Sequence, residues 1–162
     1  MAIIKVADLG ISSGVNKPMF EAWLSANFSI PHNTATLVPF DVVSFNDDNC
    51  FNTSTNRFIT PSAGRYMFIC TLHFDDMDDT DVSQIWFYKN GSRDFSVGGI
   101  DRRYLNQHYS PGTARNLMPV ITAIIDLEKD DYIQPYAVQN QGANQNATTP
   151  YSYFQGFRLI GT

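Results

Sequence analysis

Apolar residues recur along this chain in short runs, separated by polar stretches that carry the turn formers Gly, Pro, Asn and Asp. The clearest runs are Phe20 to Phe28, Ala35 to Phe45, Gly64 to Phe74, Ser83 to Tyr88, Leu117 to Leu127, Tyr132 to Gln139 and Tyr151 to Ile160. Each is rich in aromatic and β-branched side chains, which fit a pleated, half-buried surface, so each predicts a β-strand. A weaker pair surrounds Phe95 and Tyr104. No window sustains the 3.6-residue period of an amphipathic helix. Asn90-Gly91, directly after Trp86-Phe87-Tyr88, predicts a tight hairpin turn, because both residues accept positive φ. Gln139 to Thr149, rich in Asn, Gln, Gly and Thr, predicts an exposed loop. Many short strands with turns between them predict a sandwich or barrel.

Two of the strands are apolar on both faces. A strand with one wet face should alternate apolar and polar residues. Here Tyr66, Phe68, Cys70 and Leu72 form one face, yet Met67 and Ile69 on the other are apolar too. Ile121, Ala123, Ile125 and Leu127 stand likewise against Val120 and Ile124. One face would line the core, and the other calls for a partner. The competing reading is a one-chain sandwich whose own loops cover the second face, although loops this polar make poor covers.

Before Phe20 the pattern changes. Ile3, Ile4, Val6, Leu9 and Ile11 are apolar, and Ser12-Ser13-Gly14 follows. Residues 1–17 read equally as an arm that docks outside its own sandwich and as an edge strand of the same subunit; the arm is the working expectation, with residues 18–162 as one domain. A chain of 162 residues fits that organisation, and its size supports one sizeable core.

Charge and chemistry narrow the function classes. The formal net charge is −5, with 11 Lys plus Arg and no basic stripe, which argues against nucleic acid as a partner. No apolar run has membrane-spanning length, and the N-terminus lacks the pattern of a secretory signal, so neither membrane insertion nor export by a cleaved leader is expected. Cys50 and Cys70 have no zinc-like spacing and read as free thiols, Cys70 buried and Cys50 open to exposure in its Asn/Asp-rich stretch. Gly10-Ile11-Ser12-Ser13-Gly14 matches a nucleophile-elbow pattern in form only, because the strand, helix and acid–His partners that the elbow needs are missing. His32, His73 and His108 are scattered, and His73 reads as a surface or interface side chain. No catalytic residue is assigned, and the protein is not expected to be an enzyme. Asp75, Asp76, Asp78 and Asp79 offer a weak calcium candidate against the plainer reading of a solvated acidic loop; no other metal or cofactor is expected. The Asn-x-Ser/Thr sequons at Asn27, Asn52, Asn90 and Asn146 read as accidents of composition. Arg102, Arg103, Tyr104, His108 and Tyr109 mix the residue types that dominate binding hot spots and are candidate ligand contacts for a receptor, a glycan or a neighbouring protein.

Three stretches resemble the globular head of complement component 1q. Phe58-Ile59-Thr60-Pro61-Ser62-Ala63-Gly64-Arg65-Tyr66-Met67-Phe68 resembles the signature around that family's central strand. Leu127-Glu128-Lys129-Asp130-Asp131-Tyr132-Ile133 resembles its Leu-x-x-Gly-Asp-x-Val turn, with Asp130 where the family carries Gly. Tyr153-Phe154-Gln155-Gly156-Phe157-Arg158-Leu159-Ile160 resembles its closing Phe-x-Gly-Phe strand. The resemblance implies an all-β, two-sheet antiparallel jelly-roll sandwich that is homotrimeric, as in the tumour-necrosis-factor superfamily. It places Ile69, Val120 and Phe154 at the trimer axis, and the two-sided apolar pattern adds Met67 to the expected interface.

The opening Met-Ala-Ile-Ile-Lys-Val-Ala-Asp-Leu-Gly resembles small structural proteins of tailed phages. That resemblance implies a non-enzymatic virion surface protein, assembled in the host cytoplasm, decorating or cementing a capsid through its arm. The alternative is a receptor- or glycan-binding trimer of a phage tail or host-surface adhesin.

Overall fold

The computed structural model describes residues 17–77, 82–93, 104–107 and 115–159, with the side chains of residues 76, 104–107 and 115 left out. In chain order the strands are β1 (Met19–Trp23), β2 (Phe28–Ile30), β3 (Thr36–Leu37), β4 (Val42–Asn46), β5 (Phe51–Asn52), β6 (Arg57–Ile59), β7 (Gly64–Thr71), β8 (Phe74–Met77), β9 (Val82–Lys89), β10 (Tyr104–Gln107), β11 (Arg115–Leu117), β12 (Val120–Leu127), β13 (Tyr132–Gln139), β14 (Gln145–Ala147) and β15 (Tyr153–Arg158). A short 3-10 turn at Asp47–Asn49 joins β4 to β5. All pairings between these strands are antiparallel.

The strands make an all-β antiparallel sandwich of jelly-roll type. One layer has the order β12-β7-β15-β1-β4, and the other has β10-β9-β13-β6-β5 with β3 paired to β13. A four-stranded sheet, β11-β8-β14-β2, completes the set. Its order repeats that of the first layer, because β11 runs into β12, β7 into β8, β14 into β15 and β1 into β2. The small sheet is therefore the first layer continued past a seam that interrupts four adjacent strands along one line.

At the seam the regular ladders stop, and a mixture of backbone and side-chain bonds takes their place. The Ser152 hydroxyl accepts the His73 N–H at 3.0 Å, and the Thr148 N–H reaches the His73 carbonyl at 2.8 Å. Thr149 donates its hydroxyl to the Leu24 carbonyl at 2.6 Å, and its N–H binds the Asn27 side chain at 3.1 Å. His73 is buried here, with Nδ1 2.6 Å from the Thr148 hydroxyl and 3.3 Å from an Asp75 oxygen. This corrects the expectation of a surface or interface histidine. It also corrects the Gln139 to Thr149 loop: its last part forms β14, and Ala147 and Thr148 are buried. Polar composition hid that strand, because Gln145 and Asn146 carry no apolar signal and the threonines that follow serve the seam.

Between the layers sits an aromatic core. Phe154 lies 4.9 Å edge-on from Phe20, 6.0 Å from Phe68 and 5.7 Å from Phe87, while Phe20 stacks on Phe51 at 4.9 Å. Offset and edge contacts of this kind satisfy the ring quadrupoles as well as burying area. Gly156 makes the packing feasible, since a Cβ there would stand 2.6 Å from Phe68 Cδ1 and 2.8 Å from Phe20 Cε1.

Two turns lock together at one end. Asn90 and Gly91 both have positive φ, as the hairpin signal required, and the main chains of Lys89 and Ser92 bond each other in both directions. The Asn90 side chain donates to Asp131 at 2.7 Å and accepts the Tyr132 N–H at 2.9 Å. Asp130 takes φ +69°, the left-handed conformation that Asp tolerates better than most residues, at the position where the resembled turn carries Gly.

Candidate functional site

The first layer presents a broad outward face, and its composition follows from strand parity. Tyr66, Phe68 and Cys70 of β7 point into the core, so Met67 and Ile69 point out. Register extends this across the layer. Ile124, Met67, Phe157 and Met19 form one row, and Thr122, Ile69, Gln155, Glu21 and Phe45 a second. A third row holds Val120, Thr71, Tyr153 and Trp23. Val120 is 39% exposed, Phe45 43% and Ile124 51%, which is much for large apolar side chains on a single chain. The rows are mostly apolar or aromatic, and their polar members are small or paired. In the centre Glu21 accepts a hydrogen bond from Gln155 Nε2. At the rim Arg65 Nε meets Asp126 Oδ1 at 3.0 Å. A contiguous apolar face with a polar rim is the pattern of a protein contact surface.

Three of the four residues expected at a subunit interface, Met67, Ile69 and Val120, lie on this face. Phe154 does not. It is fully buried, in register with Cys70 and Ala22, which are themselves core residues. The residues of β15 that face outward are its neighbours Tyr153, Gln155 and Phe157. Carrying a family position over to Phe154 shifted the parity by one, and a one-residue shift exchanges the two faces of a strand. Trp23, Met19 and Phe45 were missed because β1 and β4 are short and carry large apolar residues on both parities.

Other candidates are only partly within view. Ile3, Ile4, Val6, Leu9 and Ile11 lie outside the described residues, as do Arg102, Arg103, His108, Tyr109, Asp78 and Asp79. Tyr104 begins β10, which pairs with β9, and Asp76 lies in β8. Asp75 approaches His73. Among the described residues no group of three or more His, Cys, Asp or Glu is placed to hold a metal ion.

Both cysteines are free and buried. For Cys50 this corrects the expectation of possible exposure: the Asn46 side chain binds the Phe51 N–H at 2.9 Å and the Phe51 carbonyl at 2.8 Å, folding the polar segment over the core edge. Burial pushes the Cys50 thiol up to about 12 from an ordinary 9.0, and it raises Cys70 well above its usual range. Both thiols are therefore expected to resist a thiolate-directed reagent such as Ellman's at pH 8, and to react at once on adding denaturant. The sign also follows for stability. Between about pH 9 and 12 the unfolded chain loses the Cys50 proton while the folded chain keeps it, so stability falls as pH rises through that window.

A model of the C1q domain matches residues 19–159. Among solved structures the chain is similar to the globular domain of zebrafish complement 1qA protein, with TM-score 0.63 and 14% identity over 89% of this chain and 98% of that one. It is similar to Eiger TNF from S. frugiperda, with TM-score 0.56 and 14% identity over 89% and 92% of the two chains. Murine APRIL is a third, with TM-score 0.59 and 12% identity over 87% and 98%. No curated protein sequence matches the chain. With the family match running from the first strand of the sandwich to just past the last, the chain belongs to the C1q domain family.

Proposed function

We propose that the protein is a non-enzymatic homotrimeric attachment module, held together through the outward face of its first layer. The observation that carries this reading is the three-row apolar face around Met67, Ile69, Phe157, Tyr153 and Trp23. C1q and TNF-like domains are typically non-enzymatic trimeric binding modules, which supports the same reading. Three copies related by a closed axis bury the same patch on each subunit without leaving a free end for further growth.

Ile69→Asp tests the assembly. Its side chain stands on the outward face, so the variant is expected to keep native far-UV and near-UV circular dichroism. Light scattering should then give the mass of one chain, where the unaltered protein gives three. An unpaired carboxylate enclosed at a contact costs more than the contact returns. A wild-type protein that stays monomeric at micromolar concentration, or an Ile69→Asp trimer, would refute the arrangement.

Within this reading the placement we favour is the surface of a phage particle, with residues 1–17 as the arm that docks on capsid or other virion proteins. Its support is the likeness of the opening ten residues to phage structural proteins. Multiple contacts would then stabilise the shell by mass action on the assembled state. Mass spectrometry of purified particles, with and without deletion of residues 1–17, measures this directly: the full chain should co-purify and the truncated trimer should not. A recognition role in a tail or adhesin has its own support, the aromatic and arginine side chains of the opposite layer.

A further inference from the structure

The second layer has an outward face that the trimer would leave free. Of its inner strands β9 alternates buried and half-buried residues as far as Tyr88, and β13 does so except at Gln134, which is buried on the outward parity with Nε2 on the Thr55 carbonyl at 2.9 Å. Ile85, Phe87, Ile133 and Ala137 are buried in the core, so Gln84, Trp86 and Tyr88 of β9, with Tyr132 and Tyr136 of β13, face outward and are half-buried. Register sets Trp86 beside Tyr136, and the Tyr88 and Tyr136 rings stack at 3.8 Å with 18° between their planes.

Two arginines complete the face. The Arg93 guanidinium lies 4.5 Å over the Trp86 ring, and the Arg57 guanidinium lies 4.0 Å over the Tyr132 ring. Burial pushes the Tyr88 phenol up, and the nearby Arg93 charge pulls it the other way, which marks the two as neighbours. Among the described residues neither arginine has a carboxylate partner. The outward positions named on β9 and β13 hold no Asp or Glu, on a chain whose net charge is −5. A guanidinium held over an aromatic ring has given up much of its rotamer freedom while keeping terminal N–H donors for a carboxylate.

We propose that this face binds an acidic polysaccharide, with Arg57 and Arg93 taking sugar carboxylates and the Trp86, Tyr88, Tyr132 and Tyr136 side chains packing against the sugar rings. The charge complementarity selects an anion. Three phenol hydroxyls and the Gln84 amide, set among ring carbons, match a ligand whose rings are apolar on their faces and hydroxylated at their edges. An acidic peptide fits less well. β9 and β13 have strands on both sides, so the face offers no free ladder for an extended peptide to join. The inference needs neither the trimer nor the virion, although three copies would strengthen binding to a repeating polymer through avidity.

Affinity electrophoresis in native gels tests it, with polygalacturonate, neutral dextran or poly-glutamate cast into the gel. Polygalacturonate is expected to retard the protein, dextran not, and poly-glutamate at matched charge much less. Arg57→Gln with Arg93→Gln should weaken retardation by about tenfold or more, the scale of a lost hot-spot arginine. Lys129→Gln, on an exposed turn, should keep it. The monomeric Ile69→Asp variant should keep the preference for polygalacturonate with weaker retardation, so failure of the assembly and failure of the ligand site are read separately. Equal retardation by poly-glutamate, an unaffected double arginine variant with native circular dichroism, or no response to polygalacturonate would each overturn the proposal.

Discussion

Phe154→Ala is expected to lower the thermal midpoint by roughly 6–20 °C, the outcome of about 3–5 kcal/mol lost from a domain of this size. The Phe154 ring is fully buried and touches rings from both layers: Phe20 and Phe68 on the first, Phe51 and Phe87 on the second. Its removal opens a cavity at the junction of these rings. Neither layer can close on it without breaking register, so relaxation should recover little of the loss. The effect should also be confined to folding. Whatever fraction remains native should keep the oligomeric state of the unaltered protein, in contrast to Ile69→Asp, which changes assembly and leaves the fold. Calorimetry and light scattering on both variants separate the roles; a Phe154→Ala protein that melts normally but sizes as a monomer would return Phe154 to the interface.

Gly156→Ala should cost about 1–3 kcal/mol, despite a backbone-entropy gain of up to about 1 kcal/mol from removing glycine within a strand. The steric term prevails because the added methyl meets Phe68 at 2.6 Å and Phe20 at 2.8 Å, and both rings are themselves confined in the core. In a double-mutant cycle with Phe68→Val, which removes the ring carbons nearest the new methyl, the combined loss should be smaller than the sum of the single losses. Additivity in urea denaturation would show that the crowding lies elsewhere.

The sequence carried the fold through features that local physics writes plainly. Tyr132 to Gln139 is a strand with the predicted bounds, and Asn90-Gly91 turns where its φ preference says it must. The two-sided apolar pattern of β7 and β12 marked the outward face before any coordinates. What stayed hidden has physical causes. Tyr153-Phe154-Gln155-Gly156-Phe157 is aromatic on both parities, so composition alone does not say which ring is inside; Gly156 does, once Phe68 and Phe20 are known to press against it. β5, β6 and β14 are two or three residues long, too short for periodicity to register. Cys50 looked solvated because Asn46 and the Asp47–Asn49 turn are polar, yet the Asn46 side chain spends its polarity on the Phe51 backbone beside it. The pairing of Arg57 with Tyr132, and of Arg93 with Trp86, joins residues on different strands or beyond a turn, so no linear motif announces it.

The interruption shared by β1/β2, β7/β8, β11/β12 and β14/β15 bears on how such a domain can diverge. Along an unbroken sheet, one inserted residue inverts every side chain beyond it. Here the ladders stop at a common line that is tied by Ser152, Thr148, Thr149 and Asn27, so a change of length on one side can be absorbed before it reaches the other. Length variation among homologous chains is therefore expected to gather in the joints between these paired strands, while the spacing from Gly64 to Thr71 and from Tyr153 to Arg158 stays fixed.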